Sequence, residues 1–358
     1  MNEKIKNIII TIAFNFIIFI FLILNIISPK NKISVSERRA LAQFPTLNVQ
    51  SLLNGQFSSN FDDYSMDQFY KRDEFRKLKI KLDLLLMGNY NNIANYNDYI
   101  FEILYPLNEN SVLNLTKKIN NIREAYLTQE NRVYYSIIPD KSYYIDYNNL
   151  KLDYTKMISI YKNNIDGQYI DLFNLLSLND YYKTDTHWRQ EKIYKVAAHL
   201  ANEMQVQIAN NLNYNEVASF SGVYSSRMNI TNNDKIYIAT NDIIDNVIVT
   251  DLTTNQKLNV YNLEKLQSLD KYDIYLNGAM PLIKIENPQS QSEKSLIIFR
   301  DSYTSSLAPL LSSGYKSIIL VDTRYISPKI LGNYINFTNQ DILFLYGVIM
   351  LNNSYAIR

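Results

Sequence analysis

The sequence contains no cysteine and only two histidines, His187 and His199. The first absence excludes disulfides, thiol catalysis and thiolate metal sites together. The second would leave any zinc site dependent on carboxylates for most of its ligands, so no metal is expected and no cofactor is called for. Charge of one sign is missing as well: 36 Lys and Arg stand against 35 Asp and Glu. No global field therefore draws the chain to nucleic acid or to an acidic surface. No internal repeat or low-complexity segment is visible. What is present is 358 residues, 47% of them hydrophobic, enough to bury a sizeable core around one main folded domain. The 30 tyrosines, with abundant Ile, Asn and Lys, are the residue usage of an AT-rich genome, so a cluster of Tyr or Asn carries little weight.

Residues 8–28 are an almost unbroken run of Ile, Phe and Leu, marked only by Thr11, Asn15 and Asn25. A hydrocarbon core of about 30 Å needs roughly 20 helical residues, and a soluble amphipathic helix would show a polar face that this run lacks. A cleaved signal peptide has a shorter apolar region of about 7–15 residues and ends at a small-x-small site. Here the run ends Asn25-Ile26-Ile27-Ser28-Pro29-Lys30. The expectation is a single-pass anchor over residues 1–29. Lys4 and Lys6 precede the span and Lys30, Lys32, Arg38 and Arg39 follow it, so charge counting alone does not orient it.

Residues 30–48 show little periodicity and read as a tether, leaving residues 49–358 as the folded domain. In residues 58–87, Phe61, Tyr64, Phe69, Phe75, Leu78, Leu82 and Leu85 recur at helical spacing up to a stop at Gly88. Helical patterns also cover 112–129, 189–204 and 303–312. Short apolar runs at 133–138, 169–172, 236–239, 246–250, 295–299, 317–321 and 342–346 read as strands, with one or two more in 92–104. Strands feeding helices predict an α/β fold.

Two stretches carry chemistry. Asp185-Thr186-His187-Trp188 precedes a helical pattern. An ionised Asp close to a His fixes the imidazole tautomer and stabilises the imidazolium, as a general base in acyl transfer requires; a helix cap explains the same residues. In Phe299-Arg300-Asp301-Ser302-Tyr303, an apolar strand breaks at a polar turn and enters a helix. A serine there sits at the strand end, where α/β sheets place ligands, with helix amides nearby for an oxyanion; capping is again the alternative. Lys141 and Arg324 end strand-like runs, where a cation can hold a substrate or an oxyanion, although a surface ion pair explains either singly. Gly278 in Leu276-Asn277-Gly278 would admit substrate or give a backbone donor, or simply make a turn. His199, mid-helix, reads as structural.

Taken in order, Glu37-Arg38-Arg39-Ala40-Leu41-Ala42-Gln43-Phe44-Pro45, Ile138-Pro139-Asp140-Lys141, Tyr182-Lys183-Thr184-Asp185-Thr186-His187-Trp188, and Phe299-Arg300-Asp301-Ser302-Tyr303 followed by Leu307-Ala308-Pro309-Leu310 resemble the DHHW family. That family is a branch of the SGNH-hydrolase-like proteins, similar to alginate-type polysaccharide O-acetyltransferases. The chain departs from the signature at Thr186, where the family has His, but keeps the Asp-x-His pair. The resemblance implies a three-layer domain with a mostly parallel central sheet. It also implies Ser302 as nucleophile, His187 as general base and Asp185 as orienting carboxylate. The donor would be a membrane-bound O-acyltransferase partner and the acceptor a hydroxyl of an exported polysaccharide, which puts the domain outside the cell membrane. The same residues would serve a carbohydrate esterase, and a decayed site would leave a glycan-binding or assembly subunit.

Overall fold

The computed structural model describes residues 2–358 except Val35, Arg38, Asn148, Asn149 and 229–232, so Arg38 of the tether motif lies outside the described residues. The chain divides into two units, one of Met1–Tyr90 with Ser226–Ile230 and one of Asn91–Ser225 with Thr231–Arg358.

The first unit is helical. Its long apolar helix α1 (Glu3–Ile27) has a mean hydropathy of 2.7 over its best window and buries none of its residues. Short helix α2 (Val49–Leu53) leads to α3 (Gln56–Asp67) and α4 (Arg72–Met87). The single helical pattern read over 58–87 is thus two helices. The break at residues 68–71 has no Gly or Pro to announce it and is made by Lys71 in the left-handed region at φ 53°. Gly88, at φ 74°, ends α4 as the sequence suggests.

The second unit is built on an eight-stranded sheet. In chain order its strands are β1 (Arg132–Ile138), β2 (Gln168–Tyr169), β3 (Ile248–Asp251), β4 (Gln256–Leu258), β5 (Leu282–Glu286), β6 (Ser295–Arg300), β7 (Ser317–Val321) and β8 (Asp341–Gly347). Their spatial order is β4-β3-β5-β7-β6-β8-β1-β2. The five strands from β7 to β2 are parallel, and β5, β3 and β4 add to them antiparallel. The run 236–239 forms a strand, Asp234–Thr240, but pairs with Asn213–Phe220 outside this sheet, and the short helix α8 (Val223–Met228) lies between the two in the chain. Residues 92–104 make a separate hairpin of Ile93–Tyr96 and Tyr99–Glu102.

The pleat sends alternate side chains to opposite faces, which produces three layers. From β6 and β8, Leu296, Ile298, Leu343 and Leu345 pack with α7 (Tyr194–Glu203) and α9 (Thr304–Leu311). Ile297, Phe299, Ile342 and Phe344 face the other way, onto α5 (Glu109–Tyr126) and α6 (Tyr154–Asn163). Central strands covered on both faces read as continuous apolar runs, and β6, β7 and β8 do. After β6 the chain passes to β7 on one side and then returns to β8 on the other. The C-terminal end of β6 is therefore a topological switch point, where an open α/β sheet leaves a crevice.

Candidate functional site

Ser302 follows β6 at that switch point. Asp301 shapes the turn: one carboxylate oxygen accepts the Tyr303 amide at 3.1 Å and the other the Gly347 amide, at the end of β8, at 2.6 Å. Burial pushes the Asp301 carboxyl above its ordinary pKa, against the pull of Arg324 and these two amides. Ser302 does not cap α9. Its Oγ lies 2.8 Å from His187 Nε2, and His187 Nδ1 lies 2.6 Å from Asp185 Oδ1.

Asp185 and His187 sit in a loop whose base is tied by a bridge between Tyr181 and Trp188. Here too helix capping does not describe the residues, because Asp185 Oδ1 accepts the His187 amide and the helix α7 begins only at Tyr194. Asp185 Oδ2 accepts the Val223 amide at 2.9 Å. Burial pushes this carboxyl up, but the charge and hydrogen bond of His187 and the amides of Val223 and His187 outweigh it and hold the pKa below the usual carboxylate range. Asp185 is therefore ionised and accepts from Nδ1–H, so that Nε2 is the ring nitrogen left to exchange a proton with the Ser302 hydroxyl, and the carboxylate stabilises the imidazolium when it forms. The imidazole is further fixed by Tyr272, whose ring stacks on it at 3.7 Å with a 6° tilt.

Several residues to which the sequence reading gave no part in the site hold this arrangement. Trp188 is fully buried, and its indole N–H donates to the Tyr303 carbonyl and to Ser306 Oγ, both at 3.0 Å, joining the histidine loop to the serine turn. Thr186, the departure from the DHHW signature, accepts from the Tyr303 hydroxyl through its carbonyl at 2.7 Å, so its backbone serves the same junction. Asp234 accepts the amides of Lys183 and Thr184 at 2.8 and 2.7 Å, and Thr184 Oγ1 accepts the Gly222 amide at 2.8 Å. A Cβ at Gly222 would come within 2.6 Å of the Asp185 backbone nitrogen, so only glycine allows this approach. Each of these contacts spans 37 or more residues, and no local signal announces them.

The three further positions are committed to the fold. Lys141, expected at the surface, is 2% exposed, and its ammonium donates to the carbonyls of Ile100, Tyr182 and Lys183, just before Thr184-Asp185. Burial pushes its pKa down to about 7, while Asp185, Asp234 and Asp140 pull it upward. Arg324 forms a bidentate pair with Asp322 at 2.8 and 2.6 Å. Gly278, at φ 80°, closes a turn with its amide on the Tyr275 carbonyl at 3.2 Å, and a Cβ there would overlap Asp273. Among the described residues no group of three or more His, Cys, Asp or Glu is placed to hold a metal ion.

An eight-stranded, mostly parallel sheet in a three-layer sandwich, with a serine at its switch point, defines an SGNH-hydrolase-like fold. By sequence the chain matches no family profile and no curated protein. Among solved structures it is similar to a DHHW family protein from Eubacterium siraeum, with a TM-score of 0.61 and 17% identity over 75% of this chain and 94% of that one. It is also similar to Bacillus cereus PatB1 with a sulfonyl adduct, with a TM-score of 0.57 and 19% identity over 72% and 97% of the two chains. At these identities the likeness is one of fold.

Proposed function

We propose that the protein is an O-acetyltransferase that carries an acetyl group on Ser302 and passes it to hydroxyls of an exported or cell-surface polysaccharide. The observation that carries this reading is the relay from Ser302 Oγ through the His187 ring to the buried Asp185, at 2.8 and 2.6 Å. Serine is a poor nucleophile at neutral pH unless a base takes its proton as it attacks. In the forward half-reaction His187 Nε2 takes that proton, Ser302 Oγ bonds to the donor's acyl carbon, and the leaving group departs with the proton returned by His187. In the second half, His187 deprotonates a sugar hydroxyl, which attacks the acyl-serine; the C–Oγ bond breaks and Ser302 Oγ takes the proton back from His187. Asp185 stabilises the imidazolium in both. The Ser302 amide has no hydrogen-bond partner among the described residues and stands at the head of α9, where it can donate to the developing oxyanion.

The acetyl group, the polysaccharide acceptor and a membrane-bound O-acyltransferase as donor follow from the resemblance to the DHHW family. So does an extracytoplasmic position for the sheet domain, with α1 as a single-pass anchor. Lys141, Arg324 and Gly278 have no part in this scheme, since each is already engaged within the fold. An activated acetyl ester, offered with and without candidate oligosaccharides, tests it: acetyl should be trapped on Ser302 and move to sugar faster than to water. Release to water at an unchanged rate in the presence of every acceptor would make the protein an esterase. No adduct at Ser302, with acetyl ester or sulfonyl fluoride, would reduce it to a binding or assembly subunit.

A further inference from the structure

The helical unit carries an apolar surface that its own core does not use. On α4, Phe75, Leu78, Leu82, Leu85 and Leu86 are 46–80% exposed. Their spacing of three, four, three and one residues places all five within a stripe ~100° wide, the pattern of an amphipathic helix that has found no partner. Ile80, on the opposite side of the helix, is the residue α4 buries. The cations sit beside the stripe: Arg72 and Arg76 are held by Glu37, and Lys79 by Asp83 at 2.5 Å.

What this face meets is indicated by where α4 begins. The turn between α3 and α4 packs on the last two turns of α1. Phe21 stacks on Phe69 at 5.8 Å and touches Phe75 at 6.1 Å. Asn25, a polar blemish in the apolar run, accepts the Tyr70 amide at 2.7 Å and donates to the Phe21 carbonyl at 2.8 Å. Phe21, Leu24, Asn25 and Ser28 form the one half-covered face of an otherwise exposed helix. If residues 8–28 fill a hydrocarbon core of about 30 Å, a rise of 1.5 Å per residue puts Phe21 roughly 10 Å inside its edge. Phe69 and Phe75 then lie at that depth too. Between these elements runs a groove of about 1030 Å³ whose wall is apolar at Leu22, Ile26, Phe61, Phe69 and Phe75 and is also lined by the cations Lys30, Arg72, Arg76 and Lys79.

We infer that α3 and α4 are a monotopic membrane element. The α4 stripe and the apolar wall of the groove lie among the acyl chains of the leaflet into which the C-terminal end of α1 runs, and the cations that line the rest of the groove reach the headgroup level. Interfacial helices bury their apolar face about 5–10 Å into this boundary, which agrees with the depth set by Phe21. The occupant is the phospholipid bilayer. This inference is independent of the catalytic reading and stands or falls without it.

Because the chain has no cysteine, single substitutions give labels without background. Full-length Leu78→Cys, Leu82→Cys, Leu85→Cys and Lys77→Cys would each carry a bimane and be reconstituted in phosphatidylcholine–phosphatidylglycerol liposomes. The three leucine positions should be quenched at least threefold more strongly by nitroxide on the acyl chains than by aqueous iodide, and Lys77→Cys should show the reverse. Iodide quenching of the leucine positions equal to that at Lys77→Cys would overturn the inference. So would protection from both quenchers, which would mean that a protein surface, such as a second copy, covers the stripe.

Discussion

At the C-terminal edge of the sheet, ionisable side chains are buried and answered chiefly by backbone groups; in the helical unit they are partly exposed and answer chiefly one another. Asp185, Asp234 and Asp301 each accept two or more amides, and Lys141 donates to three carbonyls. In the helical unit Arg39, Arg72 and Arg76 pair with Glu37 and Asp67, and the Arg39 side chain keeps 44% of its surface exposed. Backbone partners cannot swing away, so the first arrangement fixes geometry. The second holds elements together more loosely, because pairs that reach solvent, as Arg39 does, gain ~0.2–1 kcal/mol each and are screened by salt. A site that must keep a hydroxyl, a ring and a carboxylate aligned needs the first kind.

That contrast is tested most severely at the relay. Ser302→Ala, His187→Ala and the double variant should all fall to the same residual acyl-transfer rate, on the order of 10⁴-fold below wild type, because the residues act as a unit. Asp185→Asn should lose somewhat less. Thermal unfolding of Ser302→Ala should match wild type, since the hydroxyl adds little packing. Losses that multiply in the double variant would mean the two residues act separately.

Next in size is Lys141→Met, which keeps the stem and deletes the ammonium. It leaves the carbonyls of Ile100, Tyr182 and Lys183 without this donor in a buried place, and the loss should be about 2–4 kcal/mol of stability by denaturant unfolding. A neutral result would show that the carbonyls are hydrated and the clamp dispensable. Gly222→Ala comes third. The added methyl presses on the Asp185 backbone, costing about 1–3 kcal/mol and lowering kcat by moving the carboxylate. Unchanged kcat with reduced stability would separate the clamp from the chemistry.

How much of this was legible in the sequence follows the same divide between local and distant causes. Strands β6, β7 and β8 were visible because strands covered on both faces must be apolar throughout. Strand β5 was missed because Lys284 and Glu286 sit on one of its faces, pair with each other at 2.7 Å and interrupt the apolar pattern. The run 236–239 was recognised as a strand but its partner was not, since register depends on contacts made across the chain. Asp185, His187 and Ser302 stood out by residue type and by their place before a helical pattern and after a strand. The residues that align them, Gly222, Asp234 and Tyr272, gave no sign, because an ordinary Gly, Asp or Tyr acquires its role only when folding brings it to the loop. Lys141 misled for the same reason: a lysine after a strand end reads as solvent-facing until three carbonyls are found around it.

The smallest expected effect lies in the helical unit, where Arg39 meets Asp67 through two hydrogen bonds at 2.8 and 2.5 Å. The hydrogen bond from Arg39 is the main cause that holds the Asp67 carboxyl at about 2 rather than the ordinary 3.8. A carboxyl whose pKa is depressed by folding contributes stability above its unfolded value, and that contribution fades as pH falls through its folded value. The pair should thus stabilise the unit fully above about pH 4 and lose that effect toward pH 2. Since Arg39 is partly in water, solvent screening limits the contribution to roughly 0.2–1 kcal/mol. Asp67→Asn should accordingly raise amide exchange in residues 39–43 by no more than about fivefold at pH 6, with the sheet domain unaffected. The difference from wild type should shrink in 1 M salt and again as the pH approaches 2. A loss of several kcal/mol, or one that spreads into the sheet, would mean that exposed charge pairs hold this unit as firmly as buried amides hold the site, and the contrast between the two would fail.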